Sequence, residues 1–176
     1  MPQTDKIRPP GRDEYDDYYH RYISLVPEGD IIDVLTEQLS SGLELLDGIP
    51  GELMDHVYAP GKWTAGQVIG HLIDAERVFA FRALHFARGD GAPLPGMDQE
   101  RWMSAANFKD RSLQSLMVEW RHLRASNIVL FDSFDRQLLD RTGIADGRTF
   151  TVRATLYIIA GHYLHHIDIL RERYFS

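Results

Sequence analysis

The thirteen residues from Ile158 to Leu170, IIAGHYLHHIDIL, carry three of the chain's eight histidines and decide the predicted fold. They lie within Val152–Tyr174, a proline-free stretch whose apolar residues recur at helical intervals, which predicts a long helix. One stripe of that helix is apolar, and it is formed by Leu156, Ile159, Tyr163, Ile167, Leu170 and Tyr174. His166 lies beside the stripe and His162 one step further round, so both are expected near the core.

Two histidines four residues apart on a helix have Cβ atoms roughly 5 to 6 Å apart. His162 and His166 can therefore direct their imidazoles at one atom, which is the geometry of a metal site. His165 falls on the opposite, polar side of the helix. Zinc and its first-row neighbours usually take at least three protein ligands, so a third ligand must come from another part of the chain.

A second helix is predicted from about Thr64 to Ala87, and it offers His71 as the third ligand. The buried stripe of this helix comprises Val68, Leu72, Ala75, Phe79 and Phe86, and His71 lies at its edge. Asp74, one turn further on, is a candidate outer-shell partner because ligating histidines usually donate their second N–H to a carboxylate or carbonyl; a solvated helix face is the alternative. Glu76 lies well round the helix from His71 and fits an interhelical salt bridge.

A metal site competes here with a plainer interpretation. Each of these three histidines, taken singly, is better explained as a partly buried residue hydrogen-bonded to its neighbours. Their combination on the core-facing edges of two helices gives a metal site equal weight. The remaining histidines are poorer candidates for metal ligands. His85 is fourteen residues beyond His71, about 21 Å along the helix, and is too far away to share the ion. We interpret three others as surface or structural residues: His20, His56 and His122.

Two further amphipathic helices are predicted, Ile31–Leu46 and Ser112–Leu139. Four long helices without a convincing strand pattern favour an all-α four-helix bundle, in which inward-facing side chains commonly build metal sites. The segment 89–110 is broken by prolines and glycine, with a short helical piece expected around residues 98–105. It is interpreted either as a functional lid or as a crossover spanning the bundle.

The N-terminal residues 1–29 are predicted to be a partly helical extension, and residues 30–176 to be the metal-binding bundle domain. Residues 1–12 are expected to be a poorly ordered lead-in. Beyond them Tyr15, Tyr18, Tyr19 and Tyr22 cluster in sequence. Packing of a short helix on the bundle is the favoured explanation of this cluster, and a binding surface is the alternative.

Composition excludes several classes of function. The chain has 176 residues and no cysteine, which excludes disulfides, thiolate ligands and a cysteine nucleophile. A formal net charge of −7 argues against nucleic-acid binding. No uncharged apolar window is long enough to span a membrane, and no secretory signal is recognised at the N-terminus, so the expected location is cytoplasmic.

Three segments of the chain resemble the DinB-like superfamily. These are YAPGKWT at 58–64, GHLIDAER at 70–77 and GHYLHH at 161–166. The resemblance implies an up-down-down-up four-helix bundle with a long crossover loop, which is typically a homodimer. It also implies a divalent ion held by His71, His162 and His166, the same three histidines that the helical wheels select.

The resemblance further implies chemistry with a low-molecular-weight thiol, which suits a chain without cysteine. We therefore expect a metal-dependent enzyme, either transferase-like or hydrolase-like, in which the ion activates a thiol or water towards a small-molecule substrate. Zinc or nickel is the expected metal, with iron as an alternative. The competing hypotheses are a non-catalytic, dimeric metal-binding module of the stress response and a metal-free bundle.

Overall fold

Each of the four long helices begins directly after a residue whose side chain accepts a hydrogen bond from a free backbone N–H of the first turn. These N-cap residues are Asp30, Thr64, Ser112 and Thr151. At Thr64 the cap is reciprocal, because the Gln67 side chain accepts from the Thr64 backbone. Such caps stabilise a helix by about 1 kcal/mol each, and they fix where the four helices start.

The structure, a computed structural model, describes residues 6–175 and confirms the all-α four-helix bundle. Its helices are α1 His20–Ile23, α2 Ile31–Asp47, α3 Ala65–Ala87, α4 Gln99–Ala105, α5 Leu113–Asp132 and α6 Val152–Arg173, and its strands are β1 Thr142–Ala145 and β2 Arg148–Thr151. Short 3-10 helices occupy Arg12–Glu14, Asp17–Tyr19, Gly51–Asp55, Phe108–Asp110 and Arg136–Asp140. No helix among the described residues has the length and apolar character needed to cross a membrane.

The bundle has the predicted up-down-down-up order. Residues from the N-terminal half of α2 and of α6 share one end of the core with the C-terminal half of α3 and of α5. The other halves of the four helices share the opposite end. Because α3 and α5 run in the same direction, the segment between them must return along the bundle, and this explains the length of the 88–112 connection.

The third long helix was predicted to reach Leu139, and this was wrong. It ends at Asp132, and the chain continues through a 3-10 helix, Arg136–Asp140, into the β1–β2 hairpin. Asp132, Ser133 and Asp135 have low helix propensity, which weakens the helix at this point. The apolar periodicity nevertheless marks buried residues, because Phe134 and Leu139 both pack in the core.

The prediction of a poorly ordered lead-in was wrong for residues 6–12; residues 1–5 lie outside the described part of the chain. Ile7 is buried, its N–H donates to Asp30 Oδ2 at 3.1 Å, and its carbonyl accepts from the Tyr157 hydroxyl at 3.1 Å. Further along, a Cβ atom on Gly161 would lie 2.0 Å from the Tyr22 carbonyl oxygen. Only glycine allows the N-terminal segment to approach α6 so closely.

A buried polar network joins the four bundle helices. Glu76 on α3 accepts hydrogen bonds from three α5 side chains: Arg124 Nε at 2.7 Å, Asn127 Nδ2 at 3.1 Å and Trp120 Nε1 at 3.1 Å. Arg124 also donates to Gln38 Oε1 on α2 at 2.9 Å, and Gln38 donates to the Ala160 carbonyl on α6 at 3.1 Å. The expectation that Glu76 forms an interhelical salt bridge is confirmed.

Replacing Glu76 by glutamine should destabilise the bundle, because the buried guanidinium of Arg124 would lose its counter-charge. Loss of one partner of a buried pair costs roughly 3 kcal/mol or more. The matched control is Glu119→Gln, which breaks ion pairs of a half-exposed carboxylate and should cost less than about 1 kcal/mol. Urea unfolding of both variants measures the difference, and equal losses would contradict the structural role of Glu76.

Candidate metal centre

The structure brings the three predicted histidines together although they come from two helices. Their Nε2 atoms converge: His162 Nε2 lies 3.2 Å from His71 Nε2 and 3.2 Å from His166 Nε2. All three donor atoms lie within 4.8 Å of one another. Among the described residues no other group of histidine and carboxylate side chains converges in this way.

The separations of these nitrogens fit one shared cation. Ligands about 2.0 to 2.1 Å from a tetrahedral ion lie about 3.3 Å apart, close to the 3.2 Å that both pairs show. Hydrogen bonds among the three rings explain this arrangement less well than a shared cation does, because the single Nε2 atom of His162 faces two other Nε2 atoms. The donor set, imidazole nitrogen without cysteine, suits a first-row divalent metal.

Burial keeps these imidazoles neutral. His71 is 4% exposed and His162 is 8% exposed, and desolvation disfavours the charged form. Burial lowers the pKa of His71 to about 4 and that of His166 to about 3, from the ordinary 6.5. The pKa of His162 is also lowered well below 6.5, first by burial and then by the neighbouring His166 and His71. Neutral imidazole is the form that binds metals.

The second nitrogen of His71 has no hydrogen-bond partner among the described residues. This Nδ1 atom is buried, and the ring lies against Trp63 with 5.0 Å between the ring centres. Asp74 is half-buried, which raises its pKa, and Arg77 opposes that rise. The Asp74 carboxylate accepts no hydrogen bond from His71 in this structure. Its role as a partner that orients His71 stays a prediction.

Two cavities flank the histidines. One, of about 200 Å³, is lined by His71 and His162, and the other, of about 230 Å³, by His166. Gln99 at the start of α4 lines both cavities, and Met97 lines the first. The connection between α3 and α5 therefore contributes to the walls beside the triad, in addition to spanning the bundle.

Sequence reasoning missed Arg82 as a residue of the first cavity, whereas it had offered a binding surface as the alternative explanation of the tyrosine cluster. The cavity wall contains Tyr18, Tyr19 and Tyr22. Of these, Tyr19 and Tyr22 also pack in the core, so the tyrosine cluster both packs on the bundle and faces this space. Arg82 also lines it. Arg82 follows His71 by eleven residues, which is close to three full helical turns, and this spacing was the signal that could have identified it.

The other histidines lie elsewhere, as expected. His85 contacts the Ala92 carbonyl at 2.9 Å, and His20 Nδ1 lies 3.1 Å from the Tyr15 hydroxyl. The His56 ring lies against Tyr174, and His122 is exposed. His165 packs its ring against Tyr22 with 5.3 Å between the ring centres, and its side chain does not join the triad.

Comparison with known proteins identifies the family and the fold of the chain. The sequence model of the DinB superfamily matches residues 35–170. No curated protein matches the chain. Among solved structures, YfiT from Bacillus subtilis, described as a probable metal-dependent hydrolase with an unusual four-helix bundle topology, aligns with a TM-score of 0.71 at 21% identity. That alignment covers 81% of this chain and 82% of YfiT.

A mycothiol-dependent maleylpyruvate isomerase aligns with a TM-score of 0.66 at 14% identity. The alignment covers 83% of this chain but only 62% of the isomerase. The chain thus spans somewhat less than two thirds of that enzyme. At these identities the two structures establish the shared fold.

The metal-free protein should lose stability as the pH falls below about 6.5. The native histidines have lowered pKa values, so between pH 6.5 and about 4 the unfolded chain binds protons that the native state does not. The free energy of unfolding then falls by up to about 1.4 kcal/mol per pH unit for each histidine. Urea unfolding at several pH values measures this slope, and His71→Gln/His166→Gln should reduce it. A flat curve between pH 7 and 5 would contradict the burial of neutral imidazoles.

Proposed function

The chain belongs to the DinB superfamily, and on that premise we propose that it is a divalent-metal-dependent enzyme acting on a small molecule. His71, His162 and His166 are the proposed ligands. The observation that carries the proposal is the convergence of three Nε2 atoms, in which that of His162 lies 3.2 Å from each of the other two. Zinc or nickel is the proposed ion, with iron as the alternative, because each accepts imidazole ligands.

A bound divalent ion supplies Lewis acidity, which lowers the pKa of a thiol or water in a coordination position left open by three protein ligands. The chain provides the surroundings for this chemistry. The histidines are held neutral by burial, and Phe79 and Tyr22 pack against His162 with 6.4 and 5.2 Å between ring centres. These aromatic rings restrict water around the ligands and hold their orientation.

The nucleophile is proposed to be an external thiol or a water molecule. The chain has no cysteine, so a thiol must come from a low-molecular-weight cofactor. The similarity to a mycothiol-dependent isomerase supports a thiol-dependent, transferase-like reaction, and the similarity to a probable metal-dependent hydrolase supports water. Assays with thiol cofactors, beside assays with simple esters and amides, separate the two.

The alternative function, a non-catalytic metal-binding module that acts through a dimer surface, requires a closed coordination shell. The cavities of about 200 and 230 Å³ beside the histidines favour the enzyme instead, because they leave room for substrate and cofactor. A homodimer and a cytoplasmic location are also proposed, and both rest on the family resemblance and on composition.

Elemental analysis of the purified, tag-free protein tests the metal site. The wild type should contain a near-stoichiometric divalent metal, and His71→Ala and His166→Ala should each lose it. His165→Ala is the matched control, because it removes a neighbouring histidine of the same helix whose side chain lies outside the triad. Wild-type protein without metal, even after reconstitution, would contradict the proposal.

Turnover should depend on the same residues. Once a reactive substrate is found, His162→Ala should abolish both bound metal and activity, whereas His165→Ala should retain bound metal. Rates measured beside metal content, with circular dichroism to confirm folding, distinguish loss of the site from loss of structure. Activity retained by His162→Ala without metal would exclude a metal-dependent reaction.

A further inference from the structure

Arg82 is a buried cation without an acidic partner, and it faces the cavity beside the triad. It is 3% exposed, and its Nη2 donates to the Pro95 carbonyl at 3.1 Å. Within residues 6–175 no carboxylate forms an ion pair with it. A buried charge is costly unless it is paired, so this guanidinium is suited to a negatively charged ligand.

The other charged groups of this cavity largely neutralise each other. Arg148 forms ion pairs with Asp146 and, at 3.5 Å, with Asp16. Asp146 also faces the cavity, but it approaches Arg82 only as a longer-range charge. Among the described residues that line this cavity, Arg82 is therefore the arginine that forms no ion pair with a carboxylate.

The remaining walls suit a small organic anion. Tyr18, Tyr19 and Tyr22 line the cavity. Phe79 supplies an apolar surface near both ends: its ring centre lies 5.0 Å from the Arg82 guanidinium carbon and 6.4 Å from the His162 ring centre. The guanidinium carbon therefore lies no more than about 11 Å from the His162 ring centre.

We propose that Arg82 anchors a carboxylate of the substrate, at the end of the molecule opposite to the group that reacts at the triad. The planar guanidinium presents a fork of donors that matches the two oxygens of a carboxylate. The single unmatched cation and the nearby Asp146 fit a monoanionic group better than a phosphate dianion. This inference rests on the proposed function, because it makes the triad the reacting end, and it adds the substrate class: a small carboxylic acid.

Calorimetric titration with a matched pair of ligands tests the anchor. The probes are 6-mercaptohexanoate and 6-mercaptohexanamide, which differ in charge but little in shape, and each is titrated into metal-free and zinc-loaded protein. Wild type should bind the acid about ten- to a hundredfold more tightly than the amide, the range expected for a charge-assisted hydrogen bond. Arg82→Gln should remove this preference. Arg77→Gln, an exposed arginine of the same helix, should keep it.

A second variant, Asp146→Asn, keeps the anchor testable if Arg82→Gln does not fold. Asp146→Asn removes the opposing charge, and asparagine tolerates the positive φ of 54° at this position. The acid should then bind severalfold more tightly, with little change for the amide. Because Asp146→Asn also removes an ion pair of Arg148, the gain should persist when Arg148→Gln is added and be lost when Arg82→Gln is added. Equal wild-type affinities for acid and amide, a preference retained by Arg82→Gln, or no binding of the acid to metal-free protein would overturn the anchor.

The titrations distinguish failure of the proposed metal site from failure of the proposed carboxylate anchor. If the triad holds no metal, the zinc-loaded form cannot be prepared, but the preference for the acid remains measurable in the metal-free protein. If metal is bound and the amide equals the acid, the metal site stands and the carboxylate anchor falls.

Discussion

The buried carboxylate of Glu76 is the constraint on which the arrangement of the bundle depends. A charge taken out of water must be paired, and the partners of Glu76 come from α5. One of them, Arg124, also donates to Gln38 on α2, and Gln38 in turn donates to the Ala160 carbonyl on α6. The apolar stripes alone would let the helices slide, because hydrophobic contact is non-directional. The directional bonds of this network fix the helices in register.

That register also determines the geometry of the histidine triad. Glu76 lies five residues from His71 on α3, and Ala160 lies two residues from His162 on α6. The network therefore joins the two ligand-bearing helices close to the ligands themselves. Further out, Gly161 admits the N-terminal segment against α6, which places Tyr22 against His162. Polar and aromatic contacts thus hold the imidazoles from two sides and leave their Nε2 atoms directed at one point.

The two ends of the first cavity differ in charge, and both ends are buried. At the triad, desolvation keeps the imidazoles neutral and available as ligands. About three turns along α3, Arg82 is buried and forms no ion pair with any carboxylate within residues 6–175. The proposed metal at one end and the guanidinium at the other would together select for polarity as well as size, and Phe79, which lies near both, would favour an apolar spacer.

Much of the fold followed from local sequence, and the exceptions have physical causes. The apolar stripes predicted α3 and α6 to within a residue or two, and the wheel positions of His71, His162 and His166 predicted their convergence. The end of α5 was missed because the apolar period continues after the chain has left the helix at Asp132.

Other features depend on contacts between residues far apart in sequence. Ile7 is ordered by Asp30 and Tyr157, and no local pattern marks that pairing. The role of Arg82 likewise depends on which carboxylates fail to reach it, a property of the folded surroundings. Local periodicity indicates which face of a helix is buried, but it does not indicate which polar groups will meet there.

X-ray absorption spectroscopy of the zinc-reconstituted protein would test the central claim most directly, because it reports the ligands of the ion itself. The triad predicts imidazole scattering from three histidines, with nitrogen at about 2.0 to 2.1 Å, and loss of that signal in His162→Ala. Zinc surrounded by oxygen ligands alone, or an imidazole signal unchanged in His162→Ala, would place the metal elsewhere and contradict the assignment of His71, His162 and His166.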